Sequence, residues 1–600
     1  MKKSKRNYIG FFIVLFIVTF FMLFYLEIYK NTVLGWVLTV ILAVVFGFSH
    51  IKYLKDKKWW NKLLSWIAMF AVFICITYVS QPPIRQIAAV NLSDPIFTEV
   101  VTVKQGDLTG VYNEDQTVKV YAGIPYAKPP VGELRWREPQ EPEAWEGIRI
   151  CDTFAPMSMQ SPNDPIYDFG SSIIAYHNFR ITTEDNFRAA ASEDSLYLNV
   201  WTPADAKAGD DLPVVVYIHG GSLTTGQSYY QDYNGETFAK NGVVYITIAY
   251  RLGIFGYLAT EELADESPNK TTGNYGLLDQ IQALKWINEN VGAFGGDASN
   301  ITIAGESAGS SSVNALCVSP LAKGLFRKAI GESSGVAVVR PYHTFRSYDV
   351  ALETGANIMA EFGCSSMEEM RELSAEELLS TQFSNGSMTV DGYAITEQPY
   401  LTYEKGENNE EALLNGFNAD EAYVFLMFSA KPTVDTYKGF IEQIVGDKAD
   451  DVISLMPATT NEEAKKNYNE FMGLAWFGYS HYSWSNLLAE QNKPVYLYLF
   501  NKDNKSLGTW HAGELPYAYG NLDTELGIYD EADEKVSNLM VSYWINFATY
   551  GNPNGEDLPE WTIYNDSKNQ IMVFDTQSGM QDNPYINIFE VIDEYQQSLK

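Results

Sequence analysis

Apolar residues fall into two regimes along the chain. In the first eighty positions they run on without a polar face: IGFFIVLFIVTFFMLFYL (9–26), VLGWVLTVILAVVFGFS (33–49) and LLSWIAMFAVFICITYV (63–79). Runs of this length cross ~30 Å of hydrocarbon as helices. Three in succession predict membrane-spanning helices, not core helices, and no small-residue cleavage pattern follows the first. After residue 97 the pattern changes to short apolar runs between turns and amphipathic stretches. LPVVVYIHGG (212–221) and VVYITIAYR (243–251) read as buried strands. In GLLDQIQALKWINENV (276–291), Leu277, Ile281, Leu284 and Ile287 share one helix face. Strands alternating with helices predict an α/β fold, a mainly parallel central sheet with helices on both faces. The expected organisation is a membrane anchor over 1–80, a polar tether over 81–96, and one folded body over 97–600.

Charge separates the same two regions. Residues 1–80 carry ten Lys and Arg against Glu27 and Asp56, whereas the rest carries 32 basic and 73 acidic residues, a net of −41. The acidic body excludes nucleic acid as a partner, because phosphates need compensating cations. Lys2, Lys3, Lys5 and Arg6 precede the first run, and Lys52, Lys55, Lys57, Lys58 and Lys62 lie between the second and third. The positive-inside rule puts both segments in the cytoplasm and everything after residue 80 outside. Cys75, Cys151, Cys317 and Cys364 form no CxxC or metal-like spacing, so neither a disulfide framework nor a metal site is expected.

Candidate chemistry sits at ITIAGESAGSSSV (301–313). A strand stops at Gly305, and G-x-S-x-G follows, the pattern of the nucleophile elbow of α/β-hydrolases. A second copy, GESSG, occupies 331–335. The first copy has the strand–turn–helix context that would aim a helix N-terminus at Ser307; Ser333 is the alternative. HGGS (219–222) follows another strand upstream, where the N–H groups of an oxyanion hole would lie. His219 reads as structural.

Several longer stretches resemble the type-B carboxylesterases, which include cholinesterases, para-nitrobenzyl esterases and the non-catalytic neuroligins. They are YAGIPYAKPPVGELRWREP (121–139), SEDSLYLNVWTP (192–203), YRLGIFGYL (250–258), GNYGLLDQIQALKWINENVGAFGGD (273–297), GFNADEAYVF (416–425), HAGELPYAYG (511–520) and WINFATYGNPN (544–554), together with HGGSL and GESAGSSS. The resemblance covers about 97 to 590 and implies the α/β-hydrolase fold and ester hydrolysis without cofactor or metal. By position it makes Ser307 the nucleophile, Glu421 the acid and His511 the base, with Gly221, Ser222 and Ala308 supplying oxyanion N–H groups. Asp420, beside Glu421, is the alternative acid. The implied substrate is a small-molecule ester.

Three departures from the family pattern stand out. Ser195 and Ser158 occupy places where many secreted members have paired cysteines, as fits a bacterial surface protein folded without an oxidising apparatus. Ser222 replaces the third glycine of HGGG, where the backbone angles favour glycine. The tryptophan that holds quaternary ammonium in cholinesterases is missing near Asp185 and Glu184, so acylcholines are not expected substrates, and short neutral esters are. A neuroligin-like binding protein is the competing reading; retention of Ser307, Glu421 and His511 argues for the enzyme.

Overall fold

The computed structural model describes residues 2–161, 188–503, 509–522, 529–566 and 569–600. Its contacts divide the chain into two units, the described parts of 1–86 with 162–190, and of 87–161 with 191–600.

The first unit holds helices α1 (Lys2–Ile28), α2 (Val33–Ser49) and α3 (Trp59–Val79). α2 continues through a π turn, His50–Leu54. The apolar spans Ile9–Ile28, Val33–Leu54 and Trp59–Val79 are long and apolar enough to cross a membrane. The third begins at Trp59, ahead of the run seen in the sequence, because Trp59 and Trp60 enter the helix. Leu15, Met22, Leu26, Phe46, Met69 and Phe73 form the seam between the helices. Most of the remaining apolar surface, Phe16 and Phe21 included, faces outward. A helix apolar all round suits a buried core or a membrane span, where its backbone bonds are satisfied internally. Asn31 Nδ2 donates to Thr77 O (2.9 Å) and Ser80 Oγ (2.8 Å), pinning the α1–α2 turn to the end of α3.

The second unit is built on an eleven-stranded sheet. Its strands are β1 (Val111–Tyr112), β2 (Val118–Pro125), β3 (Tyr197–Pro203), β4 (Leu212–Ile218), β5 (Val244–Ile248), β6 (Gly296–Glu306), β7 (Lys328–Glu332), β8 (Ala412–Asn418), β9 (Val495–Phe500), β10 (Gln570–Phe574) and β11 (Gly579–Asp582). Their order across the sheet is β11-β10-β9-β8-β7-β6-β4-β5-β3-β2-β1. Every pair from β10 to β5 is parallel. The margins, β5–β3, β3–β2, β2–β1 and β10–β11, are antiparallel. The sheet is therefore mixed, with the predicted parallel arrangement at its centre.

Alternation along the strands builds two cores. Val214, Val216 and Ile218 of β4 face one side, with residues of α4 (Tyr275–Asn290), α5 (Ala308–Val318), α6 (Asn461–Gly473) and α7 (Tyr479–Ala489). Val215 and Tyr217 face the other, with Tyr543, Trp544 and Phe547 of α8 (Glu531–Tyr550). Burial on both faces explains why the central strands are continuous apolar runs. Parallel register aligns their carboxyl ends: Ile218 pairs with Gly305, Glu306 with Glu332, and Glu332 with Gly416. Ligands of open α/β sheets bind at such ends.

Candidate active site

β6 ends at Glu306, and Ser307 turns the chain with φ 55° and ψ −126°, a region a serine rarely occupies. Hydrogen bonds hold it there: Ser307 N–H donates to Glu332 O (2.8 Å), and Ser311 N–H to Ser307 O (2.9 Å). α5 begins at the next residue. A Cβ on Gly309 would fall 2.0 Å from Ile218 O, so only glycine lets α5 lie this close to the end of β4.

The 219–222 loop lies directly against this turn. A Cβ on Gly220 would sit 3.0 Å from Ser307 Cβ. Gly221 has φ 103°, and Ser222 and Leu223 follow at φ 55° and 57°. Gly221 O accepts the N–H groups of Thr224 and Thr225, which tightens the turn. The N–H groups of Gly221, Ser222 and Ala308 donate to no acceptor among the described residues. The Ser222 side chain is exposed. His219 is buried, stacked on Tyr250 (4.6 Å, 24°), and its Nδ1 lies 2.9 Å from Gly220 O. Burial pulls its imidazole down to about 4.

Glu421 lies three residues past the end of β8. Its Oε1 accepts the N–H of Asn418 (2.7 Å), and its Oε2 lies 2.6 Å from His511 Nδ1. Both side chains are buried. Asp420 is exposed and accepts instead from Thr509 N–H and Oγ–H, each at 3.3 Å. His511 Nε2 lies 3.2 Å from Glu306 Oε1 and makes no hydrogen bond to Ser307 Oγ in this state. Phe425 and Phe477 wall the imidazole, with ring centroids 5.0 and 4.6 Å away. Ser333 also has positive φ (56°), but it is fully buried and its Oγ donates to Glu514 Oε1 (3.2 Å). Ser307 is partly exposed.

Sequence reading missed the acids behind the site. Glu306, Glu332 and Glu514 are buried close to Glu421. Burial first, then the charges of Glu514 and Glu421, lifts Glu306 well above the usual carboxyl range. Burial raises Glu332 to about 8, although it accepts from Tyr519 Oη (2.8 Å) and Trp544 Nε1 (3.0 Å). Glu514 rises to about 8 through burial and the charges of Glu421 and Glu332; Asn418 Nδ2 donates to it. Glu306 and Glu514 could have been flagged from their places beside the two motif residues Ser307 and His511.

Ser158 and Ser195, at the family's cysteine positions, are both buried and border one small cavity with Arg135, Glu193 and Arg251. All four cysteines are free thiols. The expectation concerning Asp185 and Glu184 lies outside the described residues.

Strand order, the elbow at the end of β6, and the acid and imidazole supplied from beyond β8 and β9 define an α/β-hydrolase. Comparison with known proteins gives the family. Residues 98–591 match the carboxylesterase family. The fumonisin B1 esterase of Sphingopyxis macrogoltabida is 32% identical over 490 residues, covering 79% of this chain and 86% of that protein. The para-nitrobenzyl esterase of Bacillus subtilis is 30% identical over 515 residues, 81% of this chain and 96% of that one. Among solved structures, a carboxylesterase of Geobacillus stearothermophilus superposes with TM-score 0.69 and 31% identity, covering 83% of this chain and all of that one. The chain belongs to the carboxylesterase family, and its activity is the hydrolysis of carboxylic esters.

Proposed function

We propose that hydrolysis proceeds through an acyl-enzyme on Ser307, in a body held by its N-terminal helices outside the membrane. The observation that carries this reading is the 2.6 Å contact between buried Glu421 and His511, beside a strained and partly exposed serine. In the proposed cycle, the imidazole turns about its Glu421 contact and takes the Ser307 Oγ proton at Nε2. The oxygen attacks the ester carbonyl, and Glu421 stabilises the imidazolium. The unpaired N–H groups of Gly221, Ser222 and Ala308 favour the tetrahedral oxyanion. The imidazolium then gives its proton to the leaving alcohol. Water, deprotonated by the same imidazole, releases the acid and restores Ser307. Burial, with the charges of Glu514 and Glu421, raises the Glu306 pKa, which weakens the pull of its carboxyl on His511 Nε2. Ser307→Ala in the full chain should lower kcat/KM for para-nitrophenyl butyrate by at least about a thousandfold with unchanged thermal unfolding. Activity within tenfold of the parent would overturn the assignment.

Three apolar spans and the nine cytoplasm-side Lys and Arg support an outward-facing body by the positive-inside rule.

A further inference from the structure

Arg346 is a largely buried cation without a carboxylate partner among the described residues. Elsewhere in the body buried arginines are paired: Arg251 with Asp279 (2.7 Å), Arg135 with Glu193 (2.5 Å). Arg346 Nη2 donates to Tyr257 O (2.7 Å) and Asn385 Oδ1 (2.9 Å). Its Nε is buried and donates to nothing, and Nη1 has no acceptor among the described residues. Nδ2 of Asn385 is buried and unpartnered as well. Burial pulls the guanidinium down to about 10, so it remains charged at pH 7. Leaving a buried charged donor unsatisfied is costly. The unmet groups of Arg346 and Asn385 are donors, and a carboxylate is acceptor-only.

The position ties this set to the site. Arg346 ends a short stretch that starts at His343, whose ring lies 4.9 Å from that of Phe477, itself 4.6 Å from His511. Thr344, a β-branched residue held at φ 59°, donates through Oγ1 to Ser311 Oγ (2.9 Å) on α5, one turn after Ser307. Gly386, next to Asn385, packs so tightly on the oxyanion loop that a Cβ would fall 2.2 Å from Ser222 O. The stretch thus crosses the nucleophile helix from the imidazole side, and its partner Asn385 adjoins a glycine packed on the 219–222 loop. Both ring nitrogens of His343 are also buried without partners.

We propose that Arg346, with Asn385, binds a carboxylate carried by the ester substrate, making acidic esters the preferred class. This rests on the Ser307 reading above. The carboxylate belongs either to the acyl part, as in a half-ester of a dicarboxylic acid, or to the alcohol part. The net −41 body repels such substrates at a distance, so added salt should help them arrive, while the buried contact is little screened.

The test compares matched esters in the full chain in detergent: monoethyl adipate against ethyl hexanoate for the acyl side, and 4-acetoxybenzoate against phenyl acetate for the alcohol side. Arg346→Met should lower kcat/KM for the acidic ester of one pair about 10- to 100-fold through KM, the size of a charge-assisted hydrogen bond. The neutral partner should stay within about twofold. The responding pair identifies the side. Equal losses on acidic and neutral esters, or no loss on either acidic ester, would overturn the proposal. Should Arg346→Met fail to fold, Arg346→Lys keeps the charge without the planar fork and should show a smaller loss, again confined to the acidic ester. Failure of the parent on all four esters would count against the Ser307 reading, separately from the carboxylate site. Millimolar adipate should still raise the melting temperature of the parent and not of the variant, and no such shift would refute the carboxylate site independently.

Discussion

Ser307, Ser222 and Leu223 hold positive φ at the mouth of the site, where glycine would be unstrained. Each costs on the order of 1–3 kcal/mol. The strain has a use at Ser307, since the turn leaves its side chain partly exposed between Gly220 and α5. Of the residues singled out by motif, the elbow was legible because glycine is needed on both of its flanks. Glu421 and Asp420 were not separable by sequence, being adjacent acids; burial and the contact with Nδ1 distinguish them. The carboxyls at 306, 332 and 514 were illegible as a group, because only the aligned strand ends bring them together. Their cluster has a pH consequence. Glu514 holds its proton to about pH 8 when folded, whereas an unfolded glutamate loses it near 4.5. Between those values the folded state binds more protons, so stability falls as pH rises and levels off above 8. Glu514→Gln removes this penalty. Its melting temperature relative to the parent should rise by about 3 °C or more from pH 5 to pH 8. A gap that stays constant or shrinks over that range would contradict the burial argument.

At the scale of elements, the strands at 212–218, 244–248 and 301–306 and the helix at 275–290 were readable from apolar pattern alone. They are the parts buried on both faces or along one clear stripe. β6 proved longer than its apolar core, starting at Gly296, because pairing with β4 begins at Leu212. The antiparallel margin β1–β3 was not read. Val111–Tyr112 is too short to show a period, and β2 and β3 pair across some seventy intervening residues. The π turn Leu474–Gly478 between α6 and α7 gave no warning either, although it carries Phe477 to the imidazole. The stretch 343–346 was invisible for a different reason. A lone arginine looks solvated in a sequence, and only the structure reveals that it is largely buried with no carboxylate beside it among the described residues.

At the scale of the whole molecule, the chain joins three apolar helices, with basic residues before the first and between the second and third, to an acidic hydrolase body. Protease added to intact cells should digest residues beyond about 81 and spare the N-terminus. Protection of the body with digestion of the N-terminal segment would invert the topology. The strong negative charge of the body keeps it soluble in this account and slows anionic substrates without setting the fold.

The central claim is that Ser307 carries the acyl group. A fluorophosphonate probe on the active full-length protein, followed by peptide mapping, tests it most directly. The account predicts a single adduct on Ser307, abolished in Ser307→Ala and formed in parallel with loss of ester hydrolysis. An adduct on Ser333, or folded and active protein that takes up no probe, would contradict it.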